Sequence, residues 1–279
     1  MKRTLLIFWC ALILPGCNYL FYYPSKHVFS TPDQYQLFHE SVEFESSDGT
    51  LLTGWFIPAI NPNHAKGTII QFHGNAENMT SHYRSLVWLP YQQYNLFAFD
   101  YRGFGQSAGE PDLHGPVLDS VAAIEYVRKR NDVDPKKIIL IGQSIGGALA
   151  IAAAANTPKE GIQAIVIEST FSSYQRITRD KLGDVAITWP LQWPLSLIFI
   201  RDVYSPEELV SQLAPVPLLF IHGTNDRIVP YYHGTILHQA AKPPKFFWSI
   251  DGGQHTEAFT VYGRIYQKKL LAFLEGLTY

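Results

Sequence analysis

The chain has 279 residues, 47% of them hydrophobic, which is enough to bury one large core, and no internal repeat points to a solenoid. Its 24 acidic and 22 basic residues nearly cancel and no block of five or more Lys/Arg occurs, so the electrostatic footprint of a nucleic-acid binder is missing. The only cysteines, Cys10 and Cys17, sit near the amino terminus, which leaves the body without a disulfide or a thiol nucleophile.

The first residues read MKRTLLIFWCALILPGCNYL. Lys2 and Arg3 precede an apolar stretch from Leu5 to Leu14, which is shorter than the roughly 20 residues of a membrane span and suits the core of a signal peptide covering residues 1–16. LPGC resembles the lipobox of bacterial lipoproteins, which implies cleavage before Cys17 and lipidation of that cysteine. The alternative is an uncleaved anchor extended by Asn18 to Tyr23, with its aromatics at the interface. Either reading tethers the protein to a membrane with its bulk outside the cytosol, on the periplasmic side in a bacterium. Residues 17–40 are then a tether and arm, and 41–279 one domain.

From Ser41, SVEFESSDGTLLTGWFIP alternates in two halves around Asp48 and Gly49, a hairpin signal. TIIQFHGN follows as a short apolar run ending in a glycine turn, then a helical stretch around Tyr83 to Gln92. NLFAFDYRG repeats the scheme and leads to a helix from about Val117 to Arg130. Next come KIILIGQS with an alanine-rich helix, AIVIEST, PLLFIHGTND and KFFWSID, with helices beginning near Tyr231 and Glu257. Apolar runs without alternation suit strands covered on both faces. Their exchange with helices predicts an α/β fold with a mostly parallel sheet, helices on both sides, and the hairpin at one edge.

One segment breaks the rhythm. Some 35 residues, about 171–206, separate AIVIEST from the helix near Pro206, and they include VAITWPLQWPLSLIFI. Pro190 and Pro194 interrupt any long helix there. The segment is expected to form a small lid over the strand ends, with Trp189 and Trp193 facing an apolar pocket; extra core packing is the alternative.

Gly142, Gln143, Ser144, Ile145 and Gly146 match G-x-S-x-G, in which a tight strand-to-helix turn holds a serine with its hydroxyl exposed. The motif stands directly after a buried run and before a helix, whose free N–H groups favour developing negative charge. Serine needs a base, and in this fold class the chain order is Ser, then Asp or Glu, then His. Asp226 in HGTNDRIVP and His255 in DGGQHTE both follow strands and are the expected acid and base, with Asp251 as the fallback acid. The oxyanion donors are expected to be the N–H of Ile145 and that of Asn75, with Ala76 in reserve. His73 is read as a turn-packing residue. GFGQSAG, from Gly103 to Gly109, has its third glycine misplaced for a dinucleotide loop and is read as a tight turn. Neither H-E-x-x-H nor a cysteine pair suggests a metal, and the chemistry calls for no cofactor.

Taken together, HGNAEN, FDYRGFGQS, GQSIGG, IEST, HGTNDRIVP and GGQH resemble the alpha/beta-hydrolase fold from about Ser41 to the end. More narrowly they resemble its membrane-anchored, bud-emergence-type subgroup, related to prolyl-oligopeptidase-like serine hydrolases. The resemblance implies Ser144, Asp226 and His255 as a catalytic triad. The expected function is hydrolysis of a carboxylic ester or thioester with an apolar acyl group, on a small molecule or an acylated protein. The competing expectations are a serine peptidase and a non-catalytic, membrane-tethered binding module.

Overall fold

The computed structural model describes residues 21–277, so the signal-peptide segment 1–16 and the lipidation candidate Cys17 lie outside the described residues. Eight strands form the main sheet: β1 Glu40–Glu45, β2 Leu51–Ile57, β3 Gly67–Phe72, β4 Tyr94–Asp100, β5 Ile138–Gln143, β6 Ile162–Glu168, β7 Leu218–Gly223 and β8 Lys245–Ile250. Their order across the sheet is β8-β7-β6-β5-β3-β4-β2-β1. All pairs from β4 to β8 are parallel, whereas β2 runs antiparallel to both β1 and β4. The hairpin is therefore at the sheet edge that its alternation predicts.

Burial follows position in the sheet. Every residue of β3, β4 and β5 is buried, as helices on both faces require, while the edge strand β1 alternates. The pleat divides β5 between two cores: Ile138 and Leu140 join one cluster, Ile139 and Ile141 the other. The first is capped by the helices α1 (Gly115–Lys129), α2 (Ile145–Ala155) and, farther along, α5 (Tyr232–Ala240). The second is covered by α6 (Gly263–Glu275) and by the segment holding Met79, Tyr83, Leu86 and Leu89. That segment departs from the expected helix over 83–92. It forms a short helix, Met79–His82, and 3-10 turns at Tyr83–Ser85 and Pro90–Gln92. From Tyr83 its buried apolar residues, Tyr83, Leu86 and Leu89, recur every three positions, which suits three residues per turn, and Pro90 has no N–H to continue a helix.

Two further helices, α3 (Tyr174–Gly183) and α4 (Gln192–Phe199), fill the segment after β6. The arm before the sheet is not a loose tether. Phe21 and Tyr22 are buried, and Tyr23–Pro24 pairs in parallel with Ala76–Glu77.

Candidate active site

Ser144 stands between β5 and α2 with φ 56° and ψ -125°, a left-handed backbone that a residue with a Cβ adopts only when its surroundings compel it. Those surroundings are glycine-dependent. A Cβ on Gly146 would overlap the carbonyl oxygens of Phe72 and His73 at the end of β3, and one on Gly142 would come within 2.5 Å of the Gly147 Cα. The turn is also pinned from β6, because Ser144 N donates to Glu168 O at 2.9 Å and Thr170 Oγ1 donates to Ser144 O at 2.9 Å. Ile145 follows as the first residue of α2, where helical N–H groups lack intrahelical acceptors.

Asp226, three residues past β7, meets His255 in the loop after β8, with Oδ2 2.8 Å from Nδ1. Its other oxygen, Oδ1, accepts from the N–H groups of Ile228 and Val229, each at 2.9 Å, so the carboxylate cannot rotate freely. His222 Nε2 adds a contact at 3.5 Å. Burial opposes the charge on Asp226, but hydrogen bonds from His222, His255 and Val229 outweigh it and hold the carboxyl well below the usual carboxylate range. Asp251 is exposed, and the carboxylate on the His255 ring is that of Asp226.

Ser144 and His255 are not hydrogen-bonded to each other in this structure. They are joined through the end of β6. Glu168, fully buried, accepts from Gln143 Nε2 at 2.6 Å on Oε2 and from Ala258 N at 2.8 Å on Oε1, so one carboxyl group grips both the serine turn and the histidine loop. Ser169 Oγ accepts from Thr256 N at 3.1 Å beside it. Burial raises the pKa of Glu168 against the pull of these donors. Glu168 has no assigned part in the IEST motif; its signal in the sequence is a charged residue closing a continuous apolar run.

Asn75, expected to supply the second oxyanion donor, lies in the loop after β3 and shares one cavity with Ser144 and Ile145. That loop is held from several sides. Tyr23 N donates to Asn75 O at 2.7 Å, Met79 N donates to Asp100 Oδ1 at 2.7 Å, and Asn78 Nδ2 donates to Ser25 O and His27 O at 2.9 and 2.7 Å. Ala76, the reserve, is partly buried and pairs with Tyr23. His73 is buried, with Nδ1 2.8 Å from Gly74 O and its ring against Tyr101, and so packs the turn as expected. The glycines of GFGQSAG have positive φ at Gly103, Gly105 and Gly109, which makes that stretch the tight turn it reads as.

The cavity over Ser144 measures about 430 Å³ and is mostly apolar, walled by Phe21, Tyr23, Phe171, Ile177, Leu182 and Val229 among others. Here one expectation is corrected. Trp189 and Trp193 do not line it; they are 61% and 59% exposed, and the wall is α3 instead. The reason is geometric: α3 lies across the strand ends and α4 packs outside it, with the Arg179 guanidinium 3.5 Å above the Trp193 ring. The arm residues Phe21 and Tyr23 were not anticipated as walls.

Comparison with known proteins agrees with this geometry. A family model described as "Serine aminopeptidase, S33" matches residues 63–198. The chain is 38% identical to the uncharacterized protein YfhR of Escherichia coli K12, covering 98% of this chain and 95% of that one. It is 31% identical to the alpha/beta hydrolase domain-containing protein WAV2 of Arabidopsis thaliana, covering 94% of this chain and 85% of the relative. A solved structure of the Pyrococcus furiosus esterase Pf2001 superposes with a TM-score of 0.73 at 22% identity, over 93% of this chain and 98% of the other, which is a likeness of fold. With 31% identity to an alpha/beta hydrolase domain-containing protein over most of both chains, and a serine on a strained strand-to-helix turn, the chain belongs to the alpha/beta-hydrolase family.

Proposed function

We propose that the protein is a serine hydrolase that cleaves carboxylic esters or thioesters bearing apolar acyl groups. Ser144 Oγ attacks the acyl carbonyl carbon while His255 Nε2 takes its proton, and the N–H groups of Ile145 and Asn75 receive the oxyanion. The carbonyl re-forms as the bond to the alcohol or thiol leaving group breaks, with His255 returning the proton to it. Water then attacks the acyl-serine by the same steps and releases the acid. Asp226 holds Nδ1–H and so keeps Nε2 free to accept.

The observation that carries the reading is the Asp226–His255 contact at 2.8 Å, on the same sheet edge as a serine forced to φ 56°. Catalytic hydrogen bonds in unliganded enzymes are commonly long and tighten around substrate, which fits a Ser144 not yet bonded to the ring. The apolar cavity supports an acyl substrate, either a small ester or an acylated protein. The chain is further proposed to be tethered through its first twenty residues, as a lipoprotein modified at Cys17 or as an uncleaved anchor, with its body outside the cytosol.

An active-site-directed fluorophosphonate is expected to label the wild type and not Ser144→Ala, which should keep its fold and lose nearly all turnover. Equal labelling of both, or none, refutes the enzyme reading and favours a binding module. Because the matching family is described by aminopeptidases, chromogenic acyl esters are assayed beside aminoacyl amides. Amide turnover above ester turnover refutes the ester assignment.

A further inference from the structure

Residues 185–200 contain no Asp, Glu, Lys or Arg, and most of their bulk is turned outward. Ile187 is 84% exposed and Ile198 73%, and Trp189, Leu191, Trp193 and Leu197 are each more than half exposed. An apolar face of this kind on a folded domain marks a surface with a partner. Three observations identify that partner as lipid.

The first is what the polar groups of the segment do. Apart from its two indole N–H groups, which suit the headgroup level, it has three polar side chains, and each is bonded back onto local backbone: Thr188 Oγ1 donates to Leu182 O at 2.6 Å, Gln192 Nε2 to Trp189 O at 3.0 Å, and Ser196 Oγ to Trp193 O at 3.0 Å. Pro190 and Pro194 carry no N–H at all. A protein interface wants polar groups facing the partner, whereas hydrocarbon requires them satisfied internally. The second is the pattern of residues: two tryptophans among Leu and Ile, on helical pieces too short to span, as in segments that lie in an interface. No helix among the described residues is long and apolar enough to cross a membrane.

The third is where the chain enters. Phe21 and Tyr23 wall the same cavity as Ile177 and Leu182 of α3, and α3 packs on α4. Phe21 is only four residues on from Cys17, so whatever holds Cys17 lies within roughly 14 Å of the cavity wall even for a fully extended chain. A bilayer that holds the apolar amino terminus is thereby brought close to the outward face of α4.

We infer that residues 185–199 form a lipid-docking face which, with the amino-terminal tether, seats the mouth of the Ser144 cavity on a bilayer. The inference rests on the proposed tether, and it makes the preferred substrate an acyl chain presented at a membrane surface. Docking, tethering and chemistry are then read separately.

The full chain is reconstituted into phosphatidylcholine vesicles and floated, and its tryptophan emission is compared in ordinary and bromine-labelled lipid. Trp189 and Trp193 are two of six tryptophans. The wild type is expected to float and to lose more emission to bromine than Trp9 of the amino-terminal segment can account for, and Trp189→Phe/Trp193→Phe to reduce that loss to at most the Trp9 part. Ile187→Glu/Ile198→Glu is expected to float through the tether, to turn over a water-soluble ester within about twofold of wild type, and to hydrolyse a bilayer-embedded ester at least about tenfold more slowly. Lid tryptophans that bromine leaves unquenched, with the face covered by a second copy or by the chain's own first twenty residues, overturn the inference while leaving the hydrolase intact. Undiminished turnover of the embedded ester by the Glu variant overturns it as well, and a wild type that does not float overturns docking and tether together. Loss of soluble-ester turnover in the wild type itself strikes instead at the proposed chemistry.

Discussion

Replacing Asp226 by Asn tests the proposed chemistry at its most constrained atom. The amide introduced there has two orientations. In one, its oxygen takes the N–H groups of Ile228 and Val229, both at 2.9 Å in the parent, and its NH2 faces His255. In the other, the NH2 is driven against those two donors and two hydrogen bonds are lost, at a cost of about 2–3 kcal/mol. The first orientation therefore dominates by roughly 30- to 150-fold, since about 1.4 kcal/mol is a factor of ten. It donates to Nδ1 of His255 and so forces the proton onto Nε2, the nitrogen required to accept from Ser144. The carboxylate that would stabilise the imidazolium is lost at the same time. Together these losses should lower kcat for a soluble acyl ester by about 10⁴-fold, as in other triads carrying this change. Steady-state turnover, with thermal melting to confirm the fold, checks the value. A folded Asp226→Asn protein that keeps more than about a tenth of wild-type activity refutes the role given to this carboxylate.

Glu168→Gln places an NH2 against one of two donors, Gln143 Nε2–H or Ala258 N–H, and is expected to destabilise by about 1–3 kcal/mol in denaturant titration. Because it loosens the link between the serine turn and the histidine loop, kcat should fall while KM stays nearly constant; an unchanged kcat refutes the coupling. His82, whose Nε2 lies 3.0 Å from Ala76 O, has its pKa lowered to about 4 by burial and by His73. The unfolded chain takes up that proton first as pH falls, so the contribution of His82 is whole above pH 6.5 and is lost towards pH 4, by at most about 3 kcal/mol. His82→Gln should flatten the acid slope of melting temperature over that window, and parallel slopes for the two proteins refute it.

Much of the fold was legible because it rests on local physics. Ile138 to Ile141 form a run too apolar for a one-sided strand, and β5 is covered on both faces. Asp48 and Gly49 mark the turn between β1 and β2. The glycines around Ser144 were legible as space requirements, and those spaces are filled by the end of β3 and by α2 itself. What failed to show were effects of distant neighbours. The helix expected from Glu257 begins at Gly263, because the Glu257 carboxylate accepts from Gln254 N at 2.8 Å and closes the loop that carries His255. Hydropathy marks Trp189 and Trp193 as apolar but says nothing of which side they face, and only the seating of α3 over the strand ends decides it. The part played by Phe21 and Tyr23 depends on contacts more than fifty residues away along the chain.

That arm carries a practical consequence for anyone preparing a soluble form. A truncation starting after Pro24 would discard more than the proposed tether. It would strip a wall from the cavity over Ser144, remove the strand that braces Ala76 and Glu77, and leave the Asn75 carbonyl without its donor. Such a shortened protein would be crippled even in free solution, and its inactivity would be mistaken for a need for lipid, whereas a cut placed before Phe21 separates the two.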